Sequence, residues 1–214
     1  MNNWIQTYSK IKFDALNPTP DMIDIRDIAR GLALTCRFTG QCKEFYSVAQ
    51  HSYYVSKLIE KKIKHNNQLL IKKYYTPEFY KQLYPTTMAD HEDVTPLISL
   101  CGLLHDASEA YIGDIPSPIK RILPEYQEME KKIMGVVCEK FSLPQELPKI
   151  VKEIDSSILT TEANYLMVDI HPDQPQWEYA SNGIDFFFQP TDWKRAEKLF
   201  LIQAQNLGIY NGIL

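Results

Sequence analysis

The sequence has neither a long apolar segment nor a run of like charge. Nowhere do the roughly 18 consecutive apolar residues of a membrane-spanning helix occur, and the N-terminal "MNNWIQTYSKIKFDALNP" lacks the uninterrupted apolar core of a signal peptide. The 23 basic and 27 acidic residues give a formal net charge of −4, whereas binding to long nucleic acid usually needs a basic face. We therefore expect neither a membrane nor long nucleic acid among its partners.

Cysteine is scarce, and its spacing forms no redox or zinc motif. The four cysteines, Cys36, Cys42, Cys101 and Cys138, include no CxxC pair, and two of them fall inside apolar helical patterns. A buried free thiol behaves as a small hydrophobic group, so this usage predicts a reduced, cytoplasmic protein. The motifs GxGxxG, Walker A, GxSxG and HExxH are absent as well, which removes several common signatures of nucleotide binding and hydrolysis.

Apolar residues recur at the i, i+3, i+4 spacing of amphipathic helices along most of the 214 residues. Ile25, Ile28, Ala29 and Leu32, for example, share one face behind Asp24, which is a suitable N-cap. Further helices are predicted from Val48, from Thr95 and Pro96, from Ser117, around Ile150 and after Thr191 as cap. No alternation typical of strands competes, so the predicted class is all-α, in a single domain over 1–214 that is long enough to bury a core.

Three segments interrupt this helical pattern. Residues 1–22 contain two prolines and predict an extended N-terminal arm, and residues 61–95, rich in charge, Asn and Tyr, predict an inserted connection. Residues 168–190 predict an aromatic loop packed against the helices, followed by a C-terminal helix over 191–207.

The segment "LLHDASEAYIGDIPSPIK" follows an apolar stretch with a histidine and several carboxylates. A charge buried without a partner is unfavourable, so the adjacent His105 and Asp106 require compensation, which a divalent cation bound by imidazole and carboxylate would supply. His51 shares the apolar face of an earlier helix, and Asp155 occurs in "VKEIDSSIL" of a later one. Two imidazoles and two carboxylates suit one Mn²⁺, Fe²⁺, Co²⁺ or Zn²⁺ ion with positions open for water and a phosphate oxygen, which indicates a hydrolase.

This ordered pattern, H…HD…D, resembles the HD-domain superfamily of metal-dependent phosphohydrolases. The stretches "YSVAQHS", "LLHDASEAYIGDIPSPIK" and "IDSSILTTEA" carry the resemblance over residues 22–165. Within the superfamily the chain is similar to bacterial 5′-deoxynucleotidases and to a phage-type branch that includes dATP triphosphohydrolases, and "WIQTYSKIKFDALNP" also resembles that branch. The resemblance implies an HD-domain helical bundle that binds one divalent metal ion, forms a homo-oligomer and acts in the cytoplasm, or in the host cytoplasm if phage-encoded.

The resemblance also implies a substrate and further site residues. The substrate is a small deoxynucleotide, either a dNMP that loses its phosphate or a dNTP such as dATP that loses triphosphate. Glu109 matches the glutamate that activates or positions the attacking water, as a carboxylate beside a metal ion can. The substrate-binding positions match as follows: Arg37 binds phosphate, Phe38 crowds a ribose 2′-hydroxyl, Asp114 contacts the sugar near its 3′-hydroxyl, and Lys120 is a second cation near the site.

Several alternatives stay open at this point. Glu109 can form a salt bridge within the bundle, Asp114 can cap a turn, Arg37 can pair with a carboxylate, and Phe38 can be an ordinary core residue. Gln41 stands where the phage-type pattern usually has a histidine. A non-catalytic nucleotide-binding regulatory module on the HD fold is the rival function, whereas an HD phosphodiesterase with two metal ions needs extra histidines that residues 107–154 do not contain.

Overall fold

The computed structural model describes residues 4–65, 94–169 and 183–209. These residues form a helical bundle, as predicted, with one small ribbon in which β1 (Ile5–Gln6) pairs antiparallel with β2 (Lys12–Phe13). The helices are α1 (Ile25–Leu34), α2 (Val48–His65), α3 (Thr95–Leu104), α4 (Glu109–Ile112), α5 (Ser117–Lys120), α6 (Pro124–Lys140), α7 (Lys149–Leu166) and α8 (Trp193–Asn206). Among these helices, none combines the length and the apolar character that crossing a bilayer demands.

Helix α2 lies at the centre of the bundle and contacts α1, α3, α7 and α8. Its closest neighbour is α3, where Gly102 allows the approach, because a Cβ atom there would lie 2.5 Å from the Cδ1 atom of Ile59. Cys101 and Cys138 are buried free thiols, as predicted. A polar side chain on the inner face of α2 is therefore surrounded by other helices and needs partners from them.

The N-caps were only partly predictable. The Asp24 carboxylate caps α1, as predicted, but Thr95 already belongs to α3, and Asp192 rather than Thr191 caps α8. The carboxylate of Asp192 accepts two backbone N–H groups of the first turn, whereas the N–H of Thr191 donates to the side chain of Gln50. Two adjacent residues could cap this helix, and a contact from α2 selects between them.

Two predicted boundaries were wrong. The inserted connection does not begin at residue 61, because residues 61–65 continue α2 with Ile63 buried, and Thr95 at its other end begins α3. Residues 66–93 lie outside the described residues. The predicted helix from Ser117 is two helices, α5 and α6, since the residue before Pro124 is sterically driven away from helical geometry.

The N-terminal arm and the aromatic loop both lie against the bundle. Residues 4–22 form the β1–β2 ribbon and a 3₁₀ turn (Pro20–Met22) rather than a plain extended segment, and the N–H and hydroxyl groups of Ser9 donate to the carboxylate of Asp27 at 2.6 and 2.5 Å. Of the predicted aromatic loop, residues 168–169 and 183–190 are described, and Phe188 packs against Tyr46 with ring centroids 5.4 Å apart. Residues 170–182 lie outside the described residues.

Candidate metal centre

Four side chains that the sequence placed in one ligand set converge in the bundle. His51 comes from α2, His105 and Asp106 follow the end of α3, and Asp155 comes from α7. The Nε2 atoms of the two histidines are 3.4 Å apart. An Asp155 oxygen lies 3.1 Å from the Nε2 atom of His51, and an Asp106 oxygen lies 3.1 Å from that of His105. The ligand atoms of His51, His105 and Asp155 all fall within 4.8 Å of one another, so they could hold one metal ion.

The second nitrogen of each imidazole is bonded away from this centre. His51 Nδ1–H donates to the Glu162 carboxylate at 2.9 Å, and His105 Nδ1–H donates to the carbonyl oxygen of Gly102 at 2.8 Å. Because each Nδ1 atom is used in this way, Nε2 is the nitrogen left to bind a metal. The donor set therefore fits a transition-metal ion that accepts nitrogen and oxygen ligands.

The charges of the cluster also favour a cation. Burial lowers the pKa of His105, but Asp106 and Asp155 outweigh it and hold that pKa well above its usual value. Burial raises the pKa of Asp155, yet hydrogen bonds from His105 and His51 bring it below its usual range. The carboxylates thus stay ionised inside the protein and stabilise positive charge between them.

The chain does not continue as one helix through this motif. Helix α3 ends at Leu104, and the N–H groups of Ala107 and Glu109 then donate to the carbonyl groups three residues earlier. This tighter turn ends the α-helical pattern, so Glu109 does not continue the helix that precedes His105. Glu109 instead begins α4.

Glu109 lies close to the centre and is 6% exposed. Burial raises its pKa to about 9, with further contributions from Asp106 and Asp114. One of its oxygens is 3.6 Å from the Nζ atom of Lys120, and the other has no hydrogen-bond partner among the described residues. Glu109 therefore forms the salt bridge that the sequence left open with one oxygen only. Its other oxygen is available to another group.

Arg37 lies between the metal centre and Glu162. Its Nη1 atom is 4.0 Å from an Asp106 oxygen, and its Nη2 atom is 3.2 Å from a Glu162 oxygen. Its Nε atom is buried without a partner among the described residues. The neighbouring Phe38 and Thr39 have φ angles of 55° and 52°, in the left-handed region, so this turn is strained next to the site.

The other two predicted substrate contacts, Asp114 and Lys120, lie close enough to Glu109 to affect the pKa of its carboxyl group. Asp114 follows Gly113, and burial raises its pKa. Lys120 forms an ion pair of 2.6 Å with Glu130, in addition to its longer contact with Glu109. The ring of Phe38 is 5.6 Å from the guanidinium carbon of Arg37, and Gln41 is exposed on the same loop.

Comparison with known proteins adds a family to this geometry. Residues 41–170 match the family described as 5′-deoxynucleotidase YfbR-like. The chain belongs to this family. The match confirms the predicted HD superfamily, and it includes all four candidate ligands and Glu109 but begins after Arg37 and Phe38.

Three relatives of this YfbR-like protein show how far the similarity extends. The Escherichia coli (strain K12) protein YfdR is 36% identical over 167 residues, which cover 78% of this chain and 74% of that protein. A Rhodobacter capsulatus protein is 29% identical over 163 residues, which cover 75% of this chain and 69% of that protein. A 5′-deoxynucleotidase of Photorhabdus laumondii is 37% identical over 75 residues, which cover 33% of this chain and 37% of that protein.

Sequence reasoning missed Glu162 of this YfbR-like chain. Its side chain is fully buried and accepts a hydrogen bond from the Tyr46 hydroxyl at 2.6 Å, besides its contacts with His51 and Arg37. Burial raises its pKa, but His51 and Arg37 outweigh this, so the pKa lies below its usual value. The available signal was its spacing of seven residues from Asp155, which places both carboxylates on one face of a helix.

Proposed function

We propose that the protein is a metal-dependent 5′-deoxynucleotidase that hydrolyses a deoxynucleoside monophosphate to the deoxynucleoside and inorganic phosphate. The observation that supports this most is the convergence of the two Nε2 atoms of His51 and His105 with the carboxylates of Asp106 and Asp155. The ordinary alternative for a buried histidine, a hydrogen-bonded core residue, does not require a second imidazole nitrogen 3.4 Å away.

His51, His105, Asp106 and Asp155 hold one divalent ion in this proposal. When bound, the ion would polarise a phosphate oxygen, lower the pKa of a water molecule and favour the ionised form of Glu109. Mn²⁺, Co²⁺, Fe²⁺ and Zn²⁺ all suit this mixed nitrogen and oxygen set.

The reaction itself needs a base and a phosphate-binding cation. Glu109 takes a proton from the attacking water as the water oxygen bonds to phosphorus, and it returns the proton to the 5′-oxygen as the P–O5′ bond breaks. Arg37 binds the phosphoryl oxygens with the N–H groups that are not used in its contacts with Asp106 and Glu162. Lys120 adds a second positive charge, 3.6 Å from Glu109.

Selection for deoxyribose is assigned to Phe38 and Asp114. The Phe38 ring, held beside Arg37, would crowd a ribose 2′-hydroxyl, and Asp114 would accept a hydrogen bond from the 3′-hydroxyl. A monophosphate substrate is favoured by the family description and by the name of the Photorhabdus laumondii relative. The cytoplasmic location and the homo-oligomer stay predictions.

A single assay tests this function. The chelator-treated protein is supplied with Mn²⁺ or Co²⁺ and then with each dNMP, NMP and dNTP, and the products are separated by chromatography. We expect phosphate and deoxynucleoside from dNMPs, no turnover without metal, and loss of turnover in Asp106→Ala. Equal rates for the wild type and this variant would refute the proposal.

The same assay, with a phosphodiester added to the substrates, separates the rival functions. Release of triphosphate from dATP would assign the dATP triphosphohydrolase activity instead. Nucleotide binding without turnover would favour the regulatory module, and hydrolysis of a phosphodiester but not of dNMPs would favour an HD phosphodiesterase.

A further inference from the structure

Glu162 connects the two halves of the proposed site. It lies on α7 and is fully buried, and its carboxylate contacts one candidate metal ligand and one candidate phosphate ligand. Both of its oxygens lie near the Nδ1 atom of His51, at 2.9 and 3.2 Å. Its third partner is the hydroxyl group of Tyr46.

We propose that Glu162 is a positioning residue that couples metal binding at His51 to anion binding at Arg37. Glu162 is not itself a candidate ligand, because it contacts the Nδ1 atom of His51, whereas the Nε2 atom on the opposite side of the ring faces Asp155. The inference rests on the proposed metal site and deepens it.

The effect on the metal acts through the imidazole. An ionised carboxylate can only accept hydrogen bonds, so it fixes the His51 tautomer that carries its proton on Nδ1, orients the ring and increases the basicity of Nε2. The other imidazole has a different partner, since His105 donates to the neutral carbonyl group of Gly102. Of these two imidazoles, only that of His51 therefore has a charged partner at its Nδ1 atom.

The effect on phosphate acts through the guanidinium group. The Arg37 Nη2 atom is 3.2 Å from a Glu162 oxygen, and the Nη1 atom is 4.0 Å from Asp106. A guanidinium group has five N–H donors, so these contacts fix its plane and still leave donors for a phosphate oxygen. Removal of the Glu162 charge would release Arg37 to pair with the metal-binding carboxylate of Asp106.

The test measures binding and does not require turnover. Mn²⁺ is titrated calorimetrically into metal-free wild type, Glu162→Gln and Tyr46→Phe, and inorganic phosphate is then titrated into each metal-loaded protein. Tyr46→Phe is the matched control, because it removes one contact of the same carboxylate and leaves those with His51 and Arg37.

We expect Glu162→Gln to weaken Mn²⁺ binding by about 10- to 100-fold, the usual effect of removing a carboxylate behind a ligating histidine. Phosphate binding should weaken as well, and Tyr46→Phe should stay within about threefold of the wild type for both ligands. Wild-type Mn²⁺ affinity in folded Glu162→Gln, or an equal loss in Tyr46→Phe, would overturn the inference. If Glu162→Gln does not fold, Glu162→Asp tests the same point, since it keeps the charge but withdraws it from Nδ1.

A spectroscopic signature separates positioning from a general loss of stability. In the Co²⁺ protein, the Nδ1–H protons of both ligating imidazoles should give strongly shifted, exchangeable proton resonances. Glu162→Gln should speed solvent exchange of the His51 signal and leave the His105 signal, whose acceptor is Gly102. Equal effects on both signals would contradict a specific action on His51.

The outcomes also separate this inference from the proposed function. A weaker Mn²⁺ affinity in Glu162→Gln supports the positioning role even if the wild type hydrolyses no deoxynucleotide. If the wild type is active but Glu162→Gln has an unchanged Mn²⁺ affinity, the positioning role of Glu162 is refuted and the proposed function is not. A wild type that binds neither Mn²⁺ nor Co²⁺ would refute both.

Discussion

Replacement of Glu109 by glutamine should lower activity, raise the stability of the metal-free protein and leave metal binding nearly unchanged. In the metal-free protein, burial and the nearby Asp106 and Asp114 raise the pKa of Glu109 to about 9. A glutamate in the unfolded chain has a pKa of about 4.3, so folding at pH 7 requires the uptake of a proton, which costs on the order of 4 kcal/mol at about 1.4 kcal/mol per pKa unit. Glutamine has nearly the shape of the protonated carboxyl group and avoids that cost.

The sign of the pH dependence follows from the raised pKa. Stability linked to Glu109 is fully present below the unfolded pKa of about 4.3 and is lost as the pH rises through about 9. The unfolding free energy of the metal-free Glu109→Gln protein should therefore decline less than that of the wild type as the pH rises from about 4.3 to about 9. At pH 7 this variant should be more stable than the wild type. Denaturant unfolding in the presence of a chelator, at pH 5, 7 and 8, measures both effects.

Activity and metal binding complete the prediction. Turnover of a dNMP by Glu109→Gln should fall by about 10²- to 10⁴-fold, the usual contribution of a general base, whereas its Mn²⁺ affinity should change little because Glu109 is not a candidate ligand. Glu128→Gln, an equal change of charge at an exposed position of α6, is the control and should match the wild type. Undiminished turnover in Glu109→Gln would refute the assignment of the base, and an unaltered pH profile of stability would refute the argument from its burial.

Two further substitutions test specificity and the support of α4. Phe38→Ala should lower the ratio of kcat/KM for a dNMP over the matching NMP by about tenfold, because the ring would no longer crowd a 2′-hydroxyl; an unchanged ratio would remove Phe38 from this role. Gly31→Ala would place a Cβ atom 2.6 Å from the carbonyl oxygen of Ala110 in α4, so it should lower the free energy of unfolding by about 1–3 kcal/mol in denaturant titrations. Gly135→Ala, whose Cβ atom would meet only one side-chain atom at 3.4 Å, is the control and should raise that free energy by about 0.5–1 kcal/mol.

His105 and Asp106 were predictable because polar groups after an apolar stretch need a partner, and the other two candidate ligands because helical periodicity marks their positions as inward. His51 falls on the apolar face of α2, and Asp155 follows the buried Ile154 of α7. The sequence could not show that α3 stops at Leu104, since the turn that follows depends on hydrogen bonds between residues three apart. The ribbon of two-residue strands was also invisible, because alternation cannot be recognised over so short a length.

Partners of the ligands were harder to predict than the ligands. Glu162 occurs in "IDSSILTTEA", which carried part of the family resemblance. The H…HD…D pattern, however, contains only metal ligands and does not indicate which group binds the Nδ1 atom of His51. Arg37 illustrates a second difficulty, since its two proposed roles do not exclude one another. Arg37 is paired with the Glu162 carboxylate, as the ion-pair alternative requires. It also lies 4.0 Å from Asp106 at the metal centre, as a role in phosphate binding requires.

Metal binding should also stabilise the fold, because the ligands come from separate elements. His51 lies on α2, His105 follows α3, and Asp155 lies on α7, so a shared ion would join three parts of the bundle that the unfolded chain cannot bring together. With free Mn²⁺ at about 100 times its dissociation constant, the expected gain is about 2.7 kcal/mol. For a chain of this size, that gain corresponds to a rise in the unfolding midpoint of about 5–10 °C over a sample with chelator. Asp155→Asn should lose this rise and Glu128→Gln should keep it, whereas identical midpoints with and without Mn²⁺ in the wild type would mean that these side chains do not share an ion.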